Sequence, residues 1–138
     1  IAEHRESGHP LVLLSNTSAF EARIVTKLLE MDDWLANEFQ VDDTACLTGK
    51  IRMPICYGKG KGHYAEAWAS AHGVDLDASF FYSDSYTDLP MLERVGNPVV
   101  VNPDFRLYRH AKRQGWPILN WSKDAKHRRL EARTADPD

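Results

Sequence analysis

Residues 80–92 have the sequence FFYSDSYTDLPML, in which an apolar run leads through an acidic segment into a second apolar run. Its first three residues are apolar and predict a short strand, and Pro90 suits the first turn of the helix that follows. Between strand and helix, Asp84 and Asp88 place two carboxylates four residues apart. Ligands gather at the carboxyl ends of strands in open α/β sheets. Because Mg²⁺ takes oxygen ligands, the pair predicts a magnesium site.

Helical and strand patterns alternate along the rest of the chain. Ser18 and Glu21 match a capping box and predict a helix to about residue 29, after the polar residues 15–18 break a first strand. The apolar residues of this helix recur at four-residue steps: Phe20, Ile24 and Leu28. We expect Trp34, Leu35 and Phe39 to pack beneath it.

The remaining elements complete an α/β pattern. Further strands are predicted at 11–14, 39–41, 47–51, 99–101 and 117–119. Further helices are predicted at 63–72, at 89–95 and around 107–111. In the helix at 63–72, one face carries Tyr64, Ala67, Trp68 and Ala71. Strands alternating with helices imply parallel pairing. The predicted fold is therefore a doubly wound, mostly parallel sheet with helices on both faces.

Length and composition limit the classes of function. At 138 residues with 43% hydrophobic residues, the chain is long enough for one domain with a substantial core. A net charge of -3 gives no support for a nucleic-acid or anionic-membrane partner, and the longest aliphatic runs are too short to span a bilayer. Cys46 and Cys56 form no disulfide framework, which favours a cytoplasmic location.

The chain divides into a core and a tail. Residues 1–121 are predicted to form the α/β core, within which residues 1–9 resemble the end of a helix from a preceding domain. Residues 122–138 are charged and contain few apolar side chains. We expect this tail to be mobile.

Three sets of polar residues are candidates for an anion site. Ser15, Asn16 and Thr17 follow the first strand, and Lys61 lies near a helix start. Hydroxyls and backbone amides at a helix N-terminus bind phosphate oxygens, and a lysine adds a point charge. With Asp84 and Asp88 to hold a metal, these residues predict a phosphate-binding crevice. Lys59 is the alternative to Lys61, although we prefer Lys61.

The order of these parts resembles the haloacid dehalogenase (HAD) superfamily. Ser15, Lys61 and the stretch 83–92 are similar to its motifs II, III and IV, and residues 95–104 and 115–119 are similar to their context in the phosphoserine-phosphatase-like branch, subfamily IB. The resemblance implies a Mg²⁺-dependent phosphatase. Thr87 stands where phosphoserine phosphatases commonly have asparagine, which leaves the substrate open.

The resemblance also implies a role for each matching residue. Ser15, with Asn16 and Thr17 beside it, would bind the transferring phosphoryl group, and Lys61 would neutralise it. Asp84 would ligate Mg²⁺, whereas Asp88 would support the metal's waters or the lysine without direct ligation.

The family's nucleophile motif, Asp-x-Asp-x-Thr/Val after the first strand, has no good match in this chain. Asp75-Leu76-Asp77 fits the spacing, but it follows Gly73 instead of an apolar strand and lies after motif II. The resemblance therefore implies a C-terminal portion that lacks the central nucleophile strand and the cap domain. Such a chain alone would be unable to form the family's aspartyl-phosphate, and its partner would be the missing N-terminal segment.

Three functions remain in view. The first is hydrolysis of a small phosphorylated metabolite or a phospholipid headgroup. The second is a catalytically silent phosphate-binding or regulatory module with the same fold. The third, a flavodoxin-like phospho-acceptor domain, requires acids on the first strand and a lysine on the last, an order that this chain lacks.

Overall fold

A computed structural model describes residues 1–121, and the predicted tail at 122–138 lies outside these described residues. The backbone divides into two compact units at residue 75, with unit 1 comprising residues 1–75 and unit 2 beginning at residue 76. Among residues 1–121, no helix has the length and apolar character that a membrane crossing requires.

Unit 1 contains three helices and four strands. In chain order they are α1 (Ala2–Glu6), β1 (Val12–Ser18), α2 (Ala19–Leu28), β2 (Asp33–Asn37), β3 (Phe39–Val41), β4 (Leu47–Ile51) and α3 (Lys59–His72). β1 pairs with β2 in parallel, and β3 pairs with β4 as an antiparallel hairpin. The predicted hairpin and parallel pairing are confirmed, whereas β2 was not predicted.

β1 differs from its predicted extent. Ser15 does not break the strand, which continues to Ser18 with an irregular register between Leu14 and Ser18. The ladder continues because Ser18 pairs with Asn37, the last residue of β2. The polar residues 15–18 are therefore part of β1.

α2 begins at the predicted capping box and packs on β1 and β2. The face that contacts them contains the small residues Ala22 and Thr26, which are buried. The apolar residues expected at four-residue steps point elsewhere, since Ile24 is 69% exposed and Leu28 77% exposed. Phe39 also does not pack beneath α2; it is exposed in the hairpin.

α3 likewise uses a different face from the predicted one. Ala67 and Ala71 are exposed, whereas the buried residues are Lys61, Ala65 and Ala69, spaced by four. Residues at this spacing share one helical face. α3 thus approaches β1 and β2 through alanines, and Lys61 lies at the N-terminal end of that packed face.

Unit 2 consists of a parallel sheet with two helices and a 3-10 turn. Its elements are β5 (Phe80–Ser83), the 3-10 turn (Tyr86–Asp88), α4 (Leu89–Leu92), β6 (Asn97–Val101), α5 (Phe105–Gln114) and β7 (Ile118–Leu119). The strand order β5-β6-β7 is parallel throughout, as predicted. α4 is shorter than the predicted helix at 89–95.

The core of unit 2 forms where α4 and α5 cover β6. Leu92, Val100, Leu107 and Ala111 are fully buried, and Phe81 packs against them. Apolar residues from two helices and a strand thus enclose one core. This core fixes the two ends of the polar turn between β5 and α4.

Candidate functional site

Ser15 occupies a local hydrogen-bonding arrangement at the end of β1. Its Oγ accepts hydrogen bonds from Thr17 N at 3.2 Å and from Thr17 Oγ1 at 3.0 Å. A serine hydroxyl has two acceptor positions and one donor proton. Since both acceptor positions are used, the Ser15 proton is available for a further acceptor. Asn16 and Thr17 are exposed beside it.

The capping box fixes the start of α2 immediately after Thr17. Glu21 N donates to Ser18 Oγ, while Ser18 Oγ and Ser18 N both donate to Glu21 Oε2, at 2.8 Å and 3.1 Å. These hydrogen bonds from Ser18 hold the pKa of the Glu21 carboxyl below its usual value. The N-terminus of α2 is therefore anchored next to Ser15, Asn16 and Thr17.

Lys61 lies in the first turn of α3 and only 8% of it is exposed, whereas Lys59 is exposed. The preceding turn is closed by Gly60 N donating to Tyr57 O and Lys61 N donating to Gly58 O. Gly60 permits a close backbone contact, because a Cβ atom at this residue would lie 1.8 Å from Ile55 O. The position of Lys61 is thus set by tight packing at the helix start.

Asn37 also belongs to this unit and was not among the predicted site residues. It ends β2, is buried, and contacts both segments that carry candidate residues: Nδ2 donates to Asn16 O at 2.8 Å, and Oδ1 accepts from Cys56 N at 2.7 Å. A signal was present in the sequence. The run Trp34-Leu35-Ala36 followed by an amide resembles the run at 11–14 followed by Ser15.

Asp84 and Asp88 differ in environment. Asp84 is exposed directly after β5, whereas Asp88 is 5% exposed and its Oδ2 accepts a hydrogen bond from Ser83 Oγ at 2.7 Å. Ser83 Oγ in turn accepts from Ser85 N. Asp88 therefore braces the turn that presents Asp84. Thr87, at the position noted for its departure from the family, shares a hydroxyl contact of 2.9 Å with Ser85.

Asp104 secures the same turn from the start of α5. Its Oδ1 accepts from Leu107 N, its Oδ2 accepts from Tyr86 N at 2.6 Å, and its own N–H donates to Asp84 O. Desolvation of Asp104 opposes ionisation, but the backbone hydrogen bonds and the Arg106 charge outweigh it and lower the pKa of the carboxyl. The N-cap position after Pro103 was the available sequence signal.

In Asp75-Leu76-Asp77, which precedes β5, Asp75 has no regular structure, Leu76 lies in a bend and Asp77 lies in a turn. It does not follow a strand, so its setting differs from that of the nucleophile motif. The six predicted site residues are divided between the units. Ser15, Asn16, Thr17 and Lys61 belong to unit 1, and Asp84 and Asp88 belong to unit 2. Their convergence on one crevice stays a prediction.

Comparisons with known proteins give a match to one family model and several relatives. Residues 1–93 match the model of the haloacid dehalogenase-like hydrolases. The chain is 39% identical over 123 residues to an inhibition of morphological differentiation protein of Streptomyces azureus, covering 89% of this chain and 44% of that protein. It is 37% identical to a probable phosphatase of Mycobacterium tuberculosis, covering 89% and 42%. A histidinol-phosphatase of Neisseria meningitidis is 31% identical, with 88% and 56% covered.

Solved structures support the same fold. A Bordetella pertussis protein described as having unknown function superposes with a TM-score of 0.80 at 27% identity, covering 86% of this chain and 54% of that one. An apo phosphoserine phosphatase gives a TM-score of 0.66 at 19% identity, with 86% and 56% covered. The chain spans less than two thirds of the length of these proteins. The similarity to these structures confirms the predicted α/β fold. With a family model that matches residues 1–93, this chain belongs to the haloacid dehalogenase-like hydrolases.

Proposed function

We propose that this chain forms part of a Mg²⁺-dependent phosphomonoester hydrolase. The main observation that supports this proposal is that Lys61, at the start of α3, is buried whereas Lys59 is exposed. The ammonium group of lysine is a compact positive charge that attracts phosphoryl oxygens. A buried cation at a helix start suits a role in holding a phosphoryl group.

The residues of unit 1 have distinct proposed tasks. Ser15 donates its hydroxyl proton to a phosphoryl oxygen, because Thr17 already occupies the acceptor positions of that hydroxyl. Lys61 compensates the negative charge of the phosphoryl group. Asn16 and Thr17 flank the group at the N-terminus of α2, where helix amides favour anions.

The proposed cofactor is Mg²⁺, with Asp84 as one of its ligands. The Asp84 carboxylate is exposed after β5 and offers the hard oxygen donors that Mg²⁺ prefers. Asp88 is turned toward Ser83 and supports the turn instead of ligating the metal. Within residues 1–121 there is no cluster of three or more His, Cys, Asp or Glu side chains that could hold a metal. When bound, Mg²⁺ would neutralise charge on the phosphoryl oxygens.

The nucleophile is proposed to be an aspartate outside residues 1–138. Attack by a carboxylate on phosphorus would form an aspartyl-phosphate, which water then hydrolyses. β1 and β5 support this proposal, since in the described residues each pairs on one side only. Each strand therefore has a sheet edge at which another strand can be added. Residues 1–138 alone would then lack phosphatase activity.

The proposed substrates are small phosphomonoesters, either phosphorylated metabolites or phospholipid headgroups. The relatives differ on this point, because one is named a histidinol-phosphatase and another a phosphoserine phosphatase. We further propose a cytoplasmic setting, which fits the use of two cysteines as free thiols.

The test is hydrolysis of p-nitrophenyl phosphate by the complete protein, with and without Mg²⁺. Lys61→Met is expected to lower kcat/KM roughly 100-fold or more, as for loss of a preorganised transition-state contact. Lys59→Met, two residues away, is the matched control and is expected to retain activity. Asp84→Asn is expected to weaken the Mg²⁺ dependence, with exposed Asp43→Asn as its control.

Two outcomes would overturn the proposal. Equal activity of Lys61→Met and wild type would remove the assignment of Lys61. An absence of hydrolysis by the complete protein, together with binding of inorganic phosphate, would favour the catalytically silent phosphate-binding module.

A further inference from the structure

We propose that Asn37 is the positioning residue that holds residues 15–17 and the segment from Cys56 to Lys61 in one fixed arrangement. The proposal rests on the function proposed above, because it assumes that Ser15 and Lys61 bind the same phosphoryl group. Asn37 has the placement for this task. It is 8% exposed and lies at the carboxyl end of β2, opposite Ser18 in the β1–β2 ladder.

The first contact of Asn37 fixes the end of β1. Its Nδ2 donates to Asn16 O at 2.8 Å. Asn16 lies between Ser15 and Thr17, in the part of β1 where the register with β2 is irregular. The ladder supplies fewer regular backbone bonds there, so the side-chain bond from Asn37 restrains the segment that carries both hydroxyls.

The second contact fixes the loop that leads to α3. Asn37 Oδ1 accepts from Cys56 N at 2.7 Å, and Cys56 is fully buried with its Sγ 3.6 Å from Leu35 O. From Cys56 the chain reaches Lys61 in five residues through short-range backbone bonds, including Gly60 N to Tyr57 O. A displacement of Cys56 would therefore be passed on to Lys61.

Both contacts require an amide side chain. Asparagine offers donors on nitrogen and an acceptor on oxygen, whereas aspartate at neutral pH has acceptors only. Asn37→Asp keeps an acceptor for Cys56 N but places a carboxylate oxygen against Asn16 O. Asn37→Ala removes both bonds and leaves Asn16 O and Cys56 N without this partner. The two variants therefore separate the β1 contact from the loop contact.

A positioning role predicts coupling to Ser15. If Asn37 acts by placing Ser15, its removal matters less once the Ser15 hydroxyl is gone. A residue that only stabilises the fold would lower activity by the same factor in both backgrounds. Residues in one network show such non-additivity, whereas distant residues do not.

The experiment is a double-mutant cycle on the complete protein, with p-nitrophenyl phosphate and Mg²⁺ at a temperature where every variant is folded. Asn37→Asp and Asn37→Ala are combined with Ser15→Ala. We expect each Asn37 variant alone to lower kcat/KM about 10- to 100-fold, as for a displacement of about 1 Å, and to have a much smaller effect in the Ser15→Ala background. Thr26→Val is the control, because Thr26 is equally buried in unit 1 and its Oγ1 has no hydrogen-bond partner among the described residues.

The outcomes distinguish this inference from the proposed function. If Ser15→Ala and Lys61→Met retain full activity, or wild type has none, the proposed function and the inference both fail. If those variants lose activity but Asn37→Ala does not, or loses it equally in both backgrounds, only the inference fails. Should Asn37→Asp not fold, Asn37→Ala, which introduces no buried charge, decides between these results.

Discussion

The first turn of α3 yields the sharpest structural prediction, the substitution Gly60→Ala. A Cβ atom at residue 60 would lie 1.8 Å from Ile55 O and 3.0 Å from Ile55 C. Both atoms belong to the backbone, and Ile55 O also accepts a hydrogen bond from Tyr57 N. No side-chain rotation can relieve such a contact. The start of α3 must move away from Ile55.

The required movement can be estimated from the same distances. Real Cβ contacts are essentially never shorter than 3.0 Å, so the gap must open by about 1.2 Å. Overpacking of this kind typically costs about 1–3 kcal/mol in the free energy of unfolding. Lys61 is the next residue and would move with the helix start. A displacement of about 1 Å can lower catalysis roughly 100-fold.

Gly62 provides a matched comparison two residues along the same helix. A Cβ atom there meets nothing within 4 Å. Gly62→Ala is therefore expected to leave the protein as stable as wild type or to stabilise it by up to about 1 kcal/mol, since alanine favours helix. Urea denaturation measures the free energy of unfolding of both variants. The rate of p-nitrophenyl phosphate hydrolysis reports whether Lys61 has been displaced. Equal stability of Gly60→Ala and Gly62→Ala would show that the Ile55 backbone does not restrict residue 60.

Two further substitutions test the turn that presents Asp84. Ser83→Ala removes the hydrogen bond to buried Asp88 and should lower the free energy of unfolding by about 1–3 kcal/mol. The control Ser70→Ala, at an exposed residue, should change that free energy little. Similar losses for both variants in urea denaturation would contradict a stabilising role of the Ser83–Asp88 hydrogen bond. Asp104→Ala should cost about 1 kcal/mol at neutral pH. Because the pKa of Asp104 is below its usual 3.8, this contribution is complete above that pH and is lost as pH falls through the folded-state pKa. The free energies of unfolding of wild type and Asp104→Ala should therefore converge in acid. A difference that stays constant with pH would contradict a contribution from the ionised Asp104.

Local sequence signals predicted the elements that depend on short-range chemistry. The capping box at Ser18 and Glu21 starts α2 as expected, because both hydrogen bonds form within three residues. Gly73 ends α3 in the left-handed conformation, with φ of 65°, for the same reason. The parallel pairing followed from the alternation of strands and helices.

Features that depend on packing between elements were missed or misassigned. β2 has polar Asp33 at its start and Asn37 at its end, so its short apolar run gave a weak strand signal. Asn37 acquires its importance only when β1 and the loop at Cys56 lie on either side of it. The apolar spacing in α2 correctly indicated a helix. The residues that pack closely on the sheet, however, are the small residues Ala22 and Thr26.

Close packing through small residues also explains why Lys61 is buried whereas Lys59 is exposed. In a chain with the alternating pattern Gly58-Lys59-Gly60-Lys61-Gly62, local sequence makes the two lysines nearly equivalent. The packed face of α3 separates them, because Ala65 and Ala69 follow Lys61 at intervals of four and their short side chains let the helix approach β1 and β2. Gly60 permits the matching approach to Ile55 at the helix start. The burial of Lys61 is therefore a consequence of helix packing, and any substitution that holds α3 away from its neighbours should affect this lysine first.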